Sequence, residues 1–447
     1  MRALAEVRRA FQQRAESLDP AISPEVSLAV SVLCDLRGQG WSFEVEAEYL
    51  VALKPTRATD AGDRKGQVRT AHLIERNAQL EQPAVRRFVR SMEHRRLFRN
   101  AWHSIFSLMR DGEDLARLLR EAAAVESESE QVRRLEAVID PYVELVEVDS
   151  KCAFTGFRLV DVWRYFRHTW TTTYNSTPGR SMLFLIRDRA AANHPVIGIG
   201  ALGSSIVQLG RRDEWIGWTS DALLKQLRAH PTKTNARWLF SSIDRLISGI
   251  RNDDLLRSAR ISSASLAAPS SMHIERLRAI ARKNRERHRL YPEKASHKSV
   301  IDNRDINWTK RSETYLFRAK RAEQLAQLLE ARHCLLAAGF QRATASCLAR
   351  AIADKSGAKA IQSVLRGIKA SAVGVHMMDI TVCGAVAPYN ALLGGKLVAL
   401  LMASPDVTNA YNARYARSAS VIASSMAGRI VRRKPKLVLL GTTSLYD

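Results

Sequence analysis

Residues 379–404 read Asp379-Ile-Thr-Val-Cys-Gly-Ala-Val-Ala-Pro-Tyr-Asn-Ala-Leu-Leu-Gly-Gly-Lys-Leu-Val-Ala-Leu-Leu-Met-Ala-Ser404. The run opens apolar and β-branched, turns through Pro388-Tyr389-Asn390, tightens at Gly394-Gly395 and continues as an apolar helix. That order is strand, glycine turn, helix. Backbone N–H groups at such a junction have no partner within the helix, so the turn is a ready cradle for an anion. Tyr389, Asn390, Gly394, Gly395 and Lys396 are therefore the candidate anion or cofactor loop. Gly394-Gly-Lys-Leu lacks the upstream glycine spacing and the Mg²⁺-holding hydroxyl of a P-loop, which argues against an ATPase in this chain alone.

Two strand-like runs precede this stretch. Ser181–Ile186 ends in charged Arg187-Asp188, and a turn over Asn193-His194-Pro195 leads into Val196–Val207. A short loop between two apolar runs predicts an antiparallel pair. Gly198, Gly200 and Gly203 spell Gly-x-Gly-x-x-Gly, but the apolar run continues through Ile206-Val207 as a strand, so this is no dinucleotide fingerprint. The glycines instead predict a bulge or the close approach of another backbone. The expected fold is α+β, a mixed or antiparallel central sheet with large helical regions. The expected division is a helical N-terminal domain over 1–150, a first part of the α+β domain over 151–220, a mostly helical basic insertion over 221–370, and the second α+β part over 371–447.

The 447 residues carry 69 Lys plus Arg against 45 Asp plus Glu, a formal net charge of +24. Such an excess concentrates phosphate polymers at the surface, although an ordinary basic protein has the same signature. Three regions concentrate it. Residues 71–109 read as largely helical with a break at Pro83, and carry Arg86, Arg87, Arg90, His94, Arg95, Arg96 and Arg99. On one helix the pairs Arg86/Arg90 and Arg95/Arg99 would fall on roughly opposite faces. Residues 111–149 then reverse the sign, with twelve acidic residues against four arginines, either covering the basic helix or forming a solvated face.

The second region interleaves aromatic and cationic groups: Trp163, Arg164, Tyr165, Phe166, Arg167, His168, Trp170, Tyr174 and Arg180. They would stack on bases and grip phosphates, or serve as ordinary core-edge residues. The third is a helix from Ile274 to about Tyr291-Pro292, where Arg282, Lys283, Arg285, Arg287, His288 and Arg289 surround most of the circumference. The nucleic-acid candidates are thus Arg86, Arg87, Arg90, Arg164, Arg167, Arg180, Arg282, Lys283, Arg285, Arg287 and Arg289. Near the N-terminus, 24–37 predicts a helix capped by Ser23 and 54–69 a basic surface loop.

Five scattered cysteines contain no Cys-x-x-Cys pair and form no disulfide framework, so a reduced, cytoplasmic chain is expected. No apolar run reaches membrane-spanning length. The histidines show no metal-ligand spacing, and no metal site is expected from them.

Three segments together carry a resemblance: Pro178-Gly-Arg-Ser-Met-Leu-Phe-Leu-Ile-Arg-Asp188, then His194–Ser205 with Arg212-Asp-Glu-Trp-Ile-Gly-Trp218, then Cys383–Ala399. With the helix beginning Lys320-Arg-Ala-Glu, they resemble the DruA family of Druantia anti-phage defence systems, long described only as a domain of unknown function. The resemblance runs from about residue 60 to the end. It implies bacterial defence against phage, DNA as the target, and action beside a very large helicase-like protein; it supplies no catalytic residue. Relatives continue past Thr442-Thr-Ser-Leu-Tyr446, so the stop at Asp447 raises the expectation of a longer natural protein or a truncated member. A weaker, fold-level resemblance is to GCN5-related acyltransferases, which hold the pyrophosphate of acyl-CoA on such a strand–turn–helix.

Three functions follow. The first is a DNA-binding defence component acting with the helicase-like partner. The second is an enzyme: a nuclease or nucleic-acid-modifying activity drawing on Asp161, His168, Asp188, Asp213 and Asp379 with a divalent metal ion, or an acetyl-CoA-dependent transferase using the 379–404 loop. The third is a structural subunit whose basic surface binds an acidic partner; homo-oligomerisation stays open in every case.

Overall fold

A computed structural model describes residues 76–170, 179–292 and 306–442, together with residues 32, 33, 37, 42–46, 49–53 and 74. The chain divides into two compact units, residues 1–75 and 76–447. In the first, β1 (Ser42–Glu46) pairs antiparallel with β2 (Tyr49–Leu53), in keeping with the alternating Trp41-Ser-Phe-Glu-Val-Glu. The expected helix over 24–37 lies almost wholly outside the described residues; the loop over 54–69, Tyr174 and Cys34 lie outside them altogether.

The second unit opens with α1 (Pro83–Glu93), which carries Pro83 in its first turn, where a missing N–H costs nothing. The helix expected to continue to about Met109 stops at Glu93. Arg99 and Asn100 take positive φ, and the chain doubles back as a hairpin of β3 (Arg96–Phe98) and β4 (Ala101–His103). Arg95 and Arg99 therefore share no helix with Arg86 and Arg90. Next come α2 (Gly112–Ala123), capped by the Asp111 carboxylate, and α3 (Glu128–Val138).

The central sheet has five strands in sequence order: β5 (Pro141–Val146), β6 (Ser181–Asp188), β7 (Val196–Ser204), β8 (Met377–Ala385) and β9 (Leu439–Gly441). The first four are antiparallel to their neighbours, and β9 runs parallel to β8. This is a mixed sheet in an α+β fold, as the patterning implied, and its first strand comes from residues before 150. Between β5 and β6 lies α4 (Leu159–His168). Alternation sends Leu185 to one face, with α1 and α4, and Met182, Phe184 and Ile186 to the other.

Between β7 and β8 the chain builds a helical body. It comprises α5 (Gly210–Ile216), α6 (Ser220–Ala229), α7 (Lys233–Ser248), α8 (Asp253–Ala259), α9 (Ser271–Leu290), α10 (Tyr315–Ala337), α11 (Ala345–Ala353) and α12 (Lys355–His376). Thr219, Thr232, Ser270, Thr344 and Asp354 cap five of these helices through their side-chain oxygens. Helices α6 to α12 enclose a core of their own, including Leu239, Ile243, Leu325, Leu329 and Ile361, separate from the two sheet cores.

After β8 the chain forms α13 (Lys396–Met402) and α14 (Pro405–Tyr415), which cover the same sheet face as α2. The strand glycines explain the fit. A Cβ on Gly198 would strike the Gly384 carbonyl and Val398, and one on Gly200 would strike Met402. Where another backbone was expected, α13 approaches these glycines through the side chains of Val398 and Met402, and the backbone met at Gly198 is that of β8, at the Gly384 carbonyl. Opposite the step from Ala201 to Leu202, the register of β8 skips Thr381, which switches the inward face of that strand.

Candidate nucleic-acid interface

The strand–turn–helix at 379–404 forms as expected, and the first part of its turn, Pro388-Tyr389, packs into the protein. Tyr389 has no exposed surface, and its hydroxyl donates to Asp188 at 2.7 Å. Pro388 packs against Gly112 at the start of α2. Gly394 takes φ +67°, Gly395 caps α13, and Asn390 and Lys396 lie exposed. The helix beyond has seven residues, too short to concentrate much positive potential at its start. Of the five loop candidates, Tyr389 thus serves the core.

The candidate acid–base groups each bond a different set of partners. Asp188 is fully buried and accepts from Arg110 at 2.8 Å, Tyr389, and the backbone N–H groups of Asp140 and Ala190 at 3.0 Å. Burial, reinforced by Asp188, pushes the Tyr389 phenol far up, so it stays a hydrogen-bond donor. Asp213 lies apart, on α5, between Arg212 at 2.9 Å and Lys369 of α12 at 2.8 Å. Burial opposes its ionisation, but hydrogen bonds from Lys369 and Arg212 outweigh burial and hold it below 3.8. Asp379 accepts from Ser205 Oγ at 2.7 Å. Asp161 sits in the first turn of α4, where the helix dipole suits a carboxylate. Among the described residues, no group of three His, Cys, Asp or Glu side chains is arranged to hold a metal ion.

The basic residues sort into three environments. Arg180 is a structural clamp: it bonds the Gly374 and Val375 carbonyls at the C-terminal end of α12 and the Tyr411 hydroxyl. Nearby Arg433 bonds the Ser371 carbonyl, and burial followed by repulsion from Arg180 lowers its pKa. Arg180 thereby satisfies carbonyls of the last turn of the helix.

Helix α9 is the second environment. Ile274, Leu277, Ala281 and Asn284 form a narrow buried stripe, so the basic residues do not ring the helix as expected. Several are compensated: Arg282 pairs with Glu275 at 2.6 Å, Arg285 reaches Glu323 at 4.0 Å, and Arg287 lies over Tyr315. Lys283 and Arg289 remain exposed.

The third environment is the face shared by α1 and α4. Phe88 of α1 lies under the Arg164 guanidinium, 4.2 Å from its centroid, and beside the His168 ring. His168 contacts Gln79 Nε2 at 3.0 Å, and burial, then Arg164 and Arg167, hold its pKa below 6.5, so the ring is neutral at pH 7. Arg167 is buried with its guanidinium over Trp170. Arg86, Arg87 and Arg90 are exposed on α1, and among the described residues no carboxylate lies within ion-pair distance of them. Glu93, the acid closest to them on the same helix, accepts from Tyr165 instead. The acidic stretch 111–149 does not cover them either: its ion pairs join Asp114 and Glu121 to Arg117, Glu130 to Arg133 and Arg134, Asp140 to Arg189 and Glu144 to Arg187.

The family described as Druantia protein DruA matches residues 122–240 and 368–447. All five strands of the central sheet fall inside those two segments, and the gap between them falls in the helical body. The chain belongs to the Druantia DruA family. A curated Druantia protein DruA, from Escherichia coli (strain UMEA 4076-1), is 39% identical over 70 residues, which is 16% of this chain and 16% of that relative. No solved structure matches. In this DruA-family chain the matched segments hold the sheet, Asp188 and the turn at 388–395, whereas Arg110, Arg86–Arg90 and α9 lie outside them.

Two features escaped the sequence reading. Arg110, the partner of Asp188, stood outside every motif. The β3–β4 hairpin was absorbed into a helix, although Arg99-Asn100 between Leu97-Phe98 and Ala101-Trp102 is a two-residue turn in which Asn tolerates positive φ.

Proposed function

We propose that this protein is a nucleic-acid-binding component of a Druantia anti-phage defence system that engages DNA and acts with a large helicase-like partner. The observation that carries the reading is the uncompensated basic face of α1, with Arg86, Arg87 and Arg90 beside Arg164. Arginines without carboxylate partners contribute little to folding but attract phosphates, each contact releasing counterions. Helix α9 is a secondary contact through Lys283 and Arg289, because its other cations are partly neutralised within the fold. The sheet and the Asp188 hub act as scaffold. Family membership supports the defence assignment, and the helicase-like partner rests on the family resemblance alone.

The test is DNA binding against salt concentration by fluorescence anisotropy. Arg86→Ala/Arg87→Ala/Arg90→Ala is expected to weaken binding and to flatten the slope of log affinity against log salt by about two to three units. Unchanged affinity and slope would remove α1 from the interface.

An acyl-CoA reading draws on one observation, that β8 feeds a glycine turn and a helix before β9 pairs with it in parallel. That order supports an acyltransferase-like topology. The burial of Tyr389 and the seven-residue helix speak against cofactor use, so calorimetry with acetyl-CoA is expected to give no binding heat.

A further inference from the structure

Resting on the nucleic-acid reading above, we propose that the β3–β4 hairpin is a base-stacking element for single-stranded DNA. Trp102, with Leu97 opposite it, takes an unpaired nucleobase while arginines of the hairpin and the adjoining α1 hold the flanking phosphates.

The hairpin has two unlike faces. On the inner face Phe98 packs over Gly156, where any Cβ would strike its ring. The Arg96 guanidinium lies 5.1 Å from the Phe157 ring centroid and donates to the Ser91 carbonyl at the end of α1. Arg99 donates to the Ala153 carbonyl. These contacts hold the hairpin against the 153–157 loop and tie it to the basic helix. On the outer face Leu97 and Trp102 stand directly opposite each other across the two strands. They are 62% and 65% exposed.

An aromatic–aliphatic cross-strand pair ordinarily stabilises a sheet by burial. Here the pair faces solvent on a braced support, which costs hydration without any compensating core. A large exposed indole beside an aliphatic side chain fits either an apolar protein surface or the flat face of a base.

Charge decides between them. Arg95, Arg96 and Arg99 lie on or next to the hairpin, and Arg90 lies on the adjoining helix. Among the described residues no carboxylate forms an ion pair with any of these four. A nucleic acid brings a phosphate with every base and so matches both features. In a duplex the base faces are already stacked, whereas a single strand offers them freely.

The test compares the full chain with Trp102→Ala and Trp102→Phe, using a labelled oligothymidylate and a duplex of equal length. Trp102→Ala is expected to lose about tenfold in single-strand affinity while duplex affinity stays within about twofold. Trp102→Phe should recover most of the loss, and the salt slope should not change, because no phosphate contact is removed. Quenching of tryptophan fluorescence by the single strand should shrink in Trp102→Ala. Leu97→Ser, on the same exposed face, should show a smaller single-strand loss in the same direction. Intact duplex binding with no single-strand loss in Trp102→Ala overturns the hairpin proposal and leaves the α1 interface standing. So does an equal loss on both substrates. A wild-type chain that binds neither substrate overturns both readings.

Discussion

Asp188 has no exposed surface, and Arg110, Tyr389 and two backbone N–H groups all donate to its carboxylate. A carboxylate so fully occupied holds four segments together: the loop before α2, the turn into β5, the end of β6 and the turn after β8. Its removal leaves a guanidinium and a phenol buried beside an empty acceptor position. Asp188→Ala is therefore expected to lower stability by about 3–5 kcal/mol, read as a reduced urea midpoint. Asp188→Asn keeps an oxygen for Tyr389 but not the charge facing Arg110, and should fall between that variant and the wild type. Asp254 plays the same part in the helical body, where it pairs with fully buried Arg321 at 2.7 Å.

Between elements, the decisive contact is α13 against β7. Gly198 and Gly200 both lie under the helix, yet their surroundings differ. A Cβ on Gly198 meets a backbone carbonyl, which cannot move without disturbing β8; on Gly200 it meets the end of a flexible methionine side chain. Gly198→Ala should accordingly cost about 1–3 kcal/mol, and Gly200→Ala clearly less, compared by thermal unfolding of the two variants. Similar loss in both would mean that Met402 has no room to adapt. Helix α9 likewise buries one stripe, Leu277, Ala281 and Asn284 among it, leaving its cations on the outer side.

For the molecule as a whole, charge sets the response to pH and salt. Asp213 and Asp254 are each opposed by burial but held below 3.8 by cationic partners: Lys369 and Arg212 for the first, Arg321 for the second. A carboxylate whose folded pKa lies below its unfolded value contributes fully above the unfolded value and loses that contribution as pH falls through the folded one. Stability should thus fall steeply only below about pH 3.8 from these groups, as followed by circular dichroism during acid titration. The excess positive charge compounds the loss, since protonating carboxylates removes the partners that offset repulsion among the arginines. Among the described residues, no helix is long and apolar enough to cross a membrane.

Several features were legible in the sequence because they are local. The β6–β7 pair followed from apolar runs separated by a turn, and strand–turn–helix at 379–404 from β-branched residues followed by glycines. The close approach at Gly198 and Gly200 followed from the absence of side chains in an otherwise apolar strand. The family was legible in the same segments, which form the sheet. Other features depended on which distant groups meet. A carboxylate at a strand end looks the same whether it faces a cleft or, like Asp188, an arginine 78 positions earlier in the chain. A basic helix reads the same whether its cations are paired, as much of α9 is, or bare, as Arg86, Arg87 and Arg90 are. The end of α1 at Glu93 was set by a two-residue turn and by Phe98 finding its place over Gly156, contacts that no helical periodicity encodes. Composition determined that this protein carries an excess of positive charge; only tertiary packing decided which of those charges were left without a partner.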